Sequence, residues 1–369
     1  MKILIATGQP FIPQMYGGLQ SSGHTLALKL SQRGHEVSVL AALKPEGYWG
    51  IRGRLIMKLL KWKAAPDKKL GYTTWRAWFP WESLEFVSKR TKLDVIIVLA
   101  RQPVRMALEA QRLNIPVLMN LQDVVFTDHG GDFSVLSDVP CVANSQFTAE
   151  KYSKAFGVKP VIIHPLMEPE AYRTATTREN VTFINPQPSK GVDIALNIAR
   201  ECPEIPFVFC EGWPLESDAR QKLEAQIAPL PNVTLVPNTG NMSEIYGKSK
   251  IVLTPSRWEE AFGRVACEPQ FSGIPVVSSN VGGLPEAVGK GGMLVDPNAP
   301  IGDWVNAVKK LWSDDTFYKS KSAAAIQHMN EADLNIESLT SYWEKVIQEV
   351  IDAHSDNPAE PARKLEETP

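Results

Sequence analysis

Two carboxylates eight positions apart, Glu260 and Glu268, stand in the stretch Pro255-Ser256-Arg257-Trp258-Glu259-Glu260-Ala261-Phe262-Gly263-Arg264-Val265-Ala266-Cys267-Glu268. An ionised carboxylate only accepts hydrogen bonds, so it suits hydroxyl groups. The Phe262-Gly263 pair between them reads as the opening of a helix. A helix N-terminus offers N–H groups and a partial positive charge, which suit an anion, and a glycine there lets a ligand approach the backbone closely. Hydroxyls and phosphate recognised together describe a nucleotide sugar. The ordinary alternative is an exposed helix start, where acidic residues are favoured in any case.

Two further places suit phosphate. Gly17-Gly18 follows an apolar run and precedes helical spacing over 21–33, the position of a phosphate-cradling turn. Lys190, in Ser189-Lys190-Gly191, also lies between an apolar run and a helical pattern, where an ammonium can face a diphosphate. The plain alternatives are a loop glycine pair and a solvated lysine.

The elements that would position these residues alternate along the chain. Short apolar runs at 2–6, 36–41, 94–99, 115–119, 139–143 and 161–163 form one set, and 181–184, 207–210, 233–236, 251–254, 275–278 and 292–295 a second. Rich in Val and Ile and bounded by Gly, Pro or Asn, they read as buried parallel strands, with helical spacing between them at 22–33, 192–200 and 216–228. This predicts an α/β protein of two Rossmann-like, doubly wound parallel-sheet domains, 1–165 and 166–336, with the break near His164-Pro165-Leu166. Helical spacing over 301–312 and 339–353 follows, with Trp343, Val346, Ile347 and Val350 on one face. A terminal helix at 337–354 could return to brace the first domain or cap the second sheet, and the polar, Pro-rich 355–369 reads as a disordered tail.

Bulk properties narrow the class. The 369 residues suffice for two cores, and a net charge of −2 gives no general pull toward nucleic acid. Cysteines at 141, 202, 210 and 267 form no CxxC pair, which argues against zinc and disulfides and suits a reducing compartment. The opening residues lack the apolar core of a signal peptide, and no run reaches the roughly 20 apolar residues of a membrane span. The expectation is a cytoplasmic protein.

Beyond its own chemistry, the stretch resembles the E-x7-E signature of retaining GT-B glycosyltransferases of family 4, the glycosyl transferases group 1. The resemblance runs through Gly17-Gly18, Gly34-His35-Glu36-Val37, Asn144-Ser145-Gln146-Phe147-Thr148, Ser189-Lys190-Gly191 and Gly282-Gly283-Leu284-Pro285-Glu286. It implies the GT-B fold, two domains facing across a cleft, with the acceptor bound by the first and the nucleotide sugar by the second. It implies that Glu260 bonds the donor sugar's hydroxyls, Glu268 holds the ribose, and the N–H groups of Phe262, Gly263 and Arg264 lie against the sugar or diphosphate. Lys190, Gly17 and Gly18 would face the diphosphate. The base, uracil or guanine first, would be read by loops such as Glu211-Gly212-Trp213 and Pro237-Asn238-Thr239-Gly240. The chain contains no Asp-x-Asp, so a metal–diphosphate clamp of that kind is missing, and neither metal nor cofactor is expected. The implied reaction is transfer with retention to a saccharide, lipid-linked or small acceptor, in cell-surface glycan or glycoconjugate synthesis. An epimerase of the same fold and a non-catalytic nucleotide-sugar-binding protein are the alternatives.

Two departures stand out. The family's arginine before the lysine is replaced by Asn185-Pro186-Gln187-Pro188, so Arg257 or Arg264 would have to supply that charge. On the acceptor side, the usual histidine is replaced by Leu121-Gln122-Asp123, which leaves Asp123 or His129 to touch the acceptor hydroxyl.

One segment departs from the rest in charge. Between 51 and 92, Arg52, Arg54, Lys58, Lys61, Lys63, Lys68, Lys69, Arg76, Lys89, Arg90 and Lys92 face only Asp67, Glu82 and Glu85. Trp49, Trp62, Trp75, Trp78 and Trp81 lie in or beside it. Residues 51–63 read as a basic amphipathic helix that could lie on an anionic membrane at the inner face. It could equally pack on the first sheet with its lysines solvated, or the tryptophans could line an acceptor groove.

Overall fold

A computed structural model describes residues 1–213, 215–331 and 333–356, and the expected tail from 357 onward lies outside the described residues. The chain divides into two units, Met1–Leu166 together with the C-terminal stretch from Ile336, and Met167–Asn335.

The first unit is built on an eight-stranded sheet. Its strands are β1 (Lys2–Pro10), β2 (Glu36–Ala42), β3 (Ala64–Asp67), β4 (Thr73–Ala77), β5 (Val95–Val98), β6 (Val117–Leu121), β7 (Cys141–Ala143) and β8 (Val161–Ile162), in the order β3-β4-β2-β1-β5-β6-β7-β8. The central strands are buried on both faces. Ile3 and Ile5, with Val95 and Ile97, enter one core, while Leu4 and Ala6, with Ile96 and Val98, enter the other. This period of two explains why the runs read as continuous apolar sequence. The strand order reverses at β1, which pairs with β2 on one side and β5 on the other.

One part of the sheet departs from the all-parallel expectation. β3 runs antiparallel to β4 at the edge. Its sequence Ala64-Ala65-Pro66-Asp67 has no β-branched residue, and Pro66 has no N–H to give to a ladder, so only an edge position accommodates it.

The C-terminal helix, Ile336–Asp356, belongs to the first unit. Leu339, Trp343, Ile347 and Val350 join Ile3, Leu26 and Leu30 in one core, where Leu26 and Leu30 come from α1 (Gly18–Gln32). Arg33 fastens the helix from outside, 2.8 Å from Glu337 and 2.6 Å from Glu344.

The second unit carries a six-stranded, wholly parallel sheet. Its strands are β9 (Asn180–Ile184), β10 (Phe207–Cys210), β11 (Val233–Val236), β12 (Ser249–Thr254), β13 (Val276–Ser279) and β14 (Gly292–Val295), in the order β11-β10-β9-β12-β13-β14. The order reverses between β9 and β12, which lie side by side. In open α/β sheets the loops leaving two such strands enclose the ligand crevice. Those loops are 185–191 and 255–268. Among the described residues, no helix of either unit is long and apolar enough to cross a membrane.

Trp343 is almost fully buried. Trp343→Ala should lower stability to urea by about 3–5 kcal/mol, the range for truncating a core aromatic. A loss below about 1 kcal/mol would show that the C-terminal helix contributes little to the first core.

Candidate functional site

The loops after β9 and β12 are joined through backbone. The Ser189 carbonyl accepts from the N–H groups of Arg257 and Trp258, both at 3.0 Å. Gly191 has φ 76°, and a Cβ there would lie 1.8 Å from the Pro255 carbonyl oxygen, so only glycine permits this approach. The loop after β13 closes on the same place. The Gly283 N–H donates to the Glu260 carbonyl at 2.7 Å, and a Cβ at Gly282 would meet that carbonyl at 2.4 Å.

This joint brings Lys190 and Glu260 together across 70 residues of sequence, with Nζ 2.5 Å from Oε1. Ser256 Oγ donates to the same oxygen at 3.1 Å, which fixes the carboxylate further. The Lys190 ammonium also stands 5.5 Å from the centre of the Trp213 ring. Both members of the ion pair keep about a fifth of their side-chain surface exposed, 19% and 21%. Water and ligands can therefore compete for the pair.

Glu268 is held differently. Tyr246 Oη donates to its Oε2 at 3.0 Å, and Arg264 Nε lies 3.5 Å from its Oε1. The other side of the Arg264 guanidinium donates to Tyr172 Oη at 2.9 Å. Burial pushes the Glu268 carboxyl above its ordinary value, against the opposing pull of Arg264 and Tyr246. Burial also raises both tyrosines, so they stay protonated and Tyr246 serves as a donor. An ionised carboxylate has about four acceptor sites, so Glu268 can take further hydroxyls beside these two partners.

The local helix is shorter than the sequence suggests. Only Arg264–Cys267 is α-helical, and Glu268–Ser272 continues as 3-10 helix. Pro269 follows Glu268 and cannot donate back into an α ladder. One turn carries little macrodipole, so the expected helix terminus offers an anion little here. Phe262 is 2% exposed and anchors the loop in the core, and Gly263, at φ 100°, leaves no room for a Cβ beside Leu284.

The two arginines offered as replacements for the missing phosphate cation both have carboxylate partners. Arg257 grips Asp193 through Nε and Nη2, at 3.2 and 2.6 Å. Arg264 is enclosed with Glu268 and Tyr172. At the missing arginine's place, Asn185 adopts φ 63°, and its side-chain oxygen accepts from the Trp213 N–H at 3.4 Å. Asn238 bonds the Gly212 carbonyl, linking the loops after β10 and β11, while Thr239 Oγ1 accepts from the Asn241 N–H at 3.1 Å. Ser256, Tyr246, Tyr172 and Asp193 carried no sequence signal for these roles, because their partners lie 4 to 92 residues away and depend on the fold.

In the first unit, Gly17 precedes α1 with φ 175°, extended backbone open to any residue. The glycine that close packing demands there is Gly8, where a Cβ would lie 2.3 Å from the Arg101 carbonyl oxygen. Arg76, counted in the basic segment by sequence, is buried. It lies 2.7 Å from Asp67 and donates to the carbonyls of Phe11 and Ile12, at 3.2 and 2.7 Å, bracing the loop that leads to Gly17-Gly18. Asp123, two residues past the end of β6, lines a concavity it shares with Arg101, Gln122 and Asp128, and its carboxyl is raised by burial despite the Val125 N–H. His129 is buried among Phe126, Phe133 and Phe156, its Nε2 2.9 Å from Tyr152 Oη, and burial lowers its pKa. An acceptor contact through His129 would have to open that aromatic cluster. Among the described residues no group of three His, Cys, Asp or Glu side chains is arranged to hold a metal ion.

These features, two doubly wound sheets with paired carboxylates and a lysine at a switch point, define the GT-B class of fold. Residues 176–328, within the second unit, match the family described as Glycosyl transferases group 1. A D-inositol 3-phosphate glycosyltransferase of Corynebacterium diphtheriae is 44% identical over 86 residues, 23% of this chain and 20% of that one. The enzyme of the same name from Mycolicibacterium vanbaalenii is 34% identical over 160 residues, 38% of this chain and 34% of its own. The chain thus spans about a fifth to a third of the length of these curated relatives. The structure of Anabaena Alr3699/HepE in complex with UDP and glucose superposes with TM-score 0.74 at 17% identity, over 95% of this chain and 100% of that one.

The geometry separates the two arginines. Arg264→Ala should destabilise the second unit by about 3–5 kcal/mol, because it leaves a buried carboxylate unpaired. Arg257→Ala, in a half-exposed pair, should change stability by about 1 kcal/mol or less. Equal losses in urea denaturation would contradict this assignment.

Proposed function

We propose that the chain is a retaining, metal-independent glycosyltransferase that moves a sugar from a nucleotide-sugar donor, UDP-linked first and GDP-linked as the alternative, to a saccharide, lipid-linked or small acceptor. The observation that carries this reading is the Lys190–Glu260 pair at the β9/β12 switch point, inside the segment that matches the glycosyl transferases group 1. The UDP and glucose bound to the Anabaena protein support this donor chemistry, and the names of the relatives support glycosyl transfer.

In this reading the partly exposed ion pair is the resting state of the site. A donor's diphosphate takes over the Lys190 ammonium, and its sugar hydroxyls take over the Glu260 carboxylate. The diphosphate then compensates the Lys190 charge while the sugar hydroxyls donate to the Glu260 carboxylate, so both groups keep polar partners as the ion pair opens. Glu268, oriented by Tyr246 and Arg264, accepts the ribose hydroxyls. As the bond from the sugar C1 to the phosphate oxygen breaks, negative charge builds beside Lys190, where a fixed cation is most effective. The acceptor oxygen bonds C1 from the face the diphosphate leaves, and its proton passes to the departing phosphate oxygen. The configuration is thereby retained without a protein nucleophile. Asp123, with its raised carboxyl, is the first-unit group proposed to orient the acceptor hydroxyl.

Glu260→Ala should reduce sugar transfer at least about a hundredfold, a typical loss for a transition-state contact. UDP should still raise its melting temperature, because binding stabilises by mass action. Full transfer by Glu260→Ala would end the proposal. So would an epimerised donor, or donor binding without turnover by the wild type over a panel of nucleotide sugars and acceptors.

A further inference from the structure

Residues 47–63 contain Arg52, Arg54, Lys58, Lys61 and Lys63 and no acidic residue, against a net charge of −2 for the chain. Within them, α2 (Gly47–Leu60) folds with a row of large apolar side chains outward. Tyr48, Ile51, Leu55 and Leu59 are 70%, 51%, 53% and 78% exposed. At 3.6 residues per turn the four fall within an arc of roughly 80°. The opposite face is made of Gly50, Gly53 and Met57, which are buried. A Cβ at Gly53 would stand 3.0 Å from Leu43, and one at Gly50 only 2.3 Å from the Pro45 carbonyl oxygen. The glycines let the helix lie close against the first unit, with Ile56 and Met57 on the core side, while Ile51, Leu55 and Leu59 point to solvent. A helix serving only its own core would be patterned the other way round.

The charge borders this apolar stripe. Arg54 and Lys58, both exposed, follow one edge, and Lys61 and Lys63 continue the basic flank beyond the helix end. Arg52 lies along the other edge, its guanidinium bonded to the Pro66 carbonyl at 2.9 Å. Scattered exposed apolar residues need no explanation, but a contiguous stripe with cations beside it does. An apolar face with flanking lysine and arginine suits the boundary between acyl chains and anionic headgroups, where the long basic side chains reach outward to phosphate. Two of the basic segment's tryptophans take no part in this surface: Trp75 is buried, and Trp62 packs against Phe86.

We propose that α2 is a docking surface for an anionic lipid bilayer, in which Tyr48, Ile51, Leu55 and Leu59 enter the interface and Arg54, Lys58, Lys61 and Lys63 pair with headgroups. The surface is independent of the donor site, so it can fail or hold without regard to glycosyl transfer.

The test is co-sedimentation of the full chain with vesicles of phosphatidylcholine alone and of phosphatidylcholine mixed with phosphatidylglycerol. The wild type should pellet with the mixed vesicles at low salt and be released as salt screens the headgroups. The double variant Leu55→Asp, Leu59→Asp should lose at least about tenfold of that binding. Its melting temperature should be unchanged, since neither side chain is buried. Arg54→Glu, Lys58→Glu should abolish the preference for anionic vesicles. Absence of wild-type binding to both vesicle types would overturn the proposal, as would undiminished binding by the leucine variant. A wild-type dimer that the leucine variant converts to a monomer would also overturn it, by assigning the face to a second copy of the chain.

Discussion

The second unit depends on one backbone joint, the contact between the loop after β9 and the loop after β12. Gly191 lies directly against the Pro255 carbonyl, and the Ser189 carbonyl receives two N–H groups from the opposing loop. Neither contact involves a functional side chain, yet together they decide where Lys190 and Glu260 are held. The parallel sheet makes the joint possible by placing β9 and β12 side by side, with both chains leaving at the same edge. Gly282 and Gly283 then bring the loop after β13 onto the Glu260 and Ala261 backbone in the same manner. The site is thus framed by close backbone approaches that tolerate no side chain.

Within that frame the two carboxylates have opposite characters, and solvent exposure decides which is which. Lys190 and Glu260 touch water, so their attraction is screened and the pair can open toward a ligand. Arg264 and Glu268 are enclosed, each with a tyrosine hydroxyl as second partner. Separating them without replacement would leave a charge in low dielectric, which is far more expensive than keeping them together. The first pair is therefore suited to exchange and the second to orientation. Arg257, bonded to Asp193 at the surface, belongs to neither pair.

The first unit shows how far pattern reading reaches. Its core strands were legible because burial on both faces leaves unbroken Val and Ile runs, as at 95–98. The edge strand β3 was not, because Ala64-Ala65-Pro66-Asp67 has almost no strand propensity and is held by β4 at the edge of the sheet. Arg76 looked like one more surface cation in a basic segment. Its burial with Asp67 depends on carbonyls of Phe11 and Ile12, more than 60 residues away, which no local pattern reveals. In α2 the pattern was visible, but its direction was not: an amphipathic period is the same whether the apolar face turns inward or outward.

The sequence by itself determined the strand-and-helix alternation, the two sets of strands, and the short list of residues able to meet phosphate and hydroxyls. Hydrophobic period and residue chemistry are local properties, and they survive without a fold. The tertiary structure alone decided which charges are paired. It joined Lys190 to Glu260, enclosed Arg264 with Glu268, tied Arg257 to Asp193 and placed His129 among aromatic rings. Pairing depends on distance and desolvation between segments far apart in the chain, and both quantities exist only once the strands have been ordered.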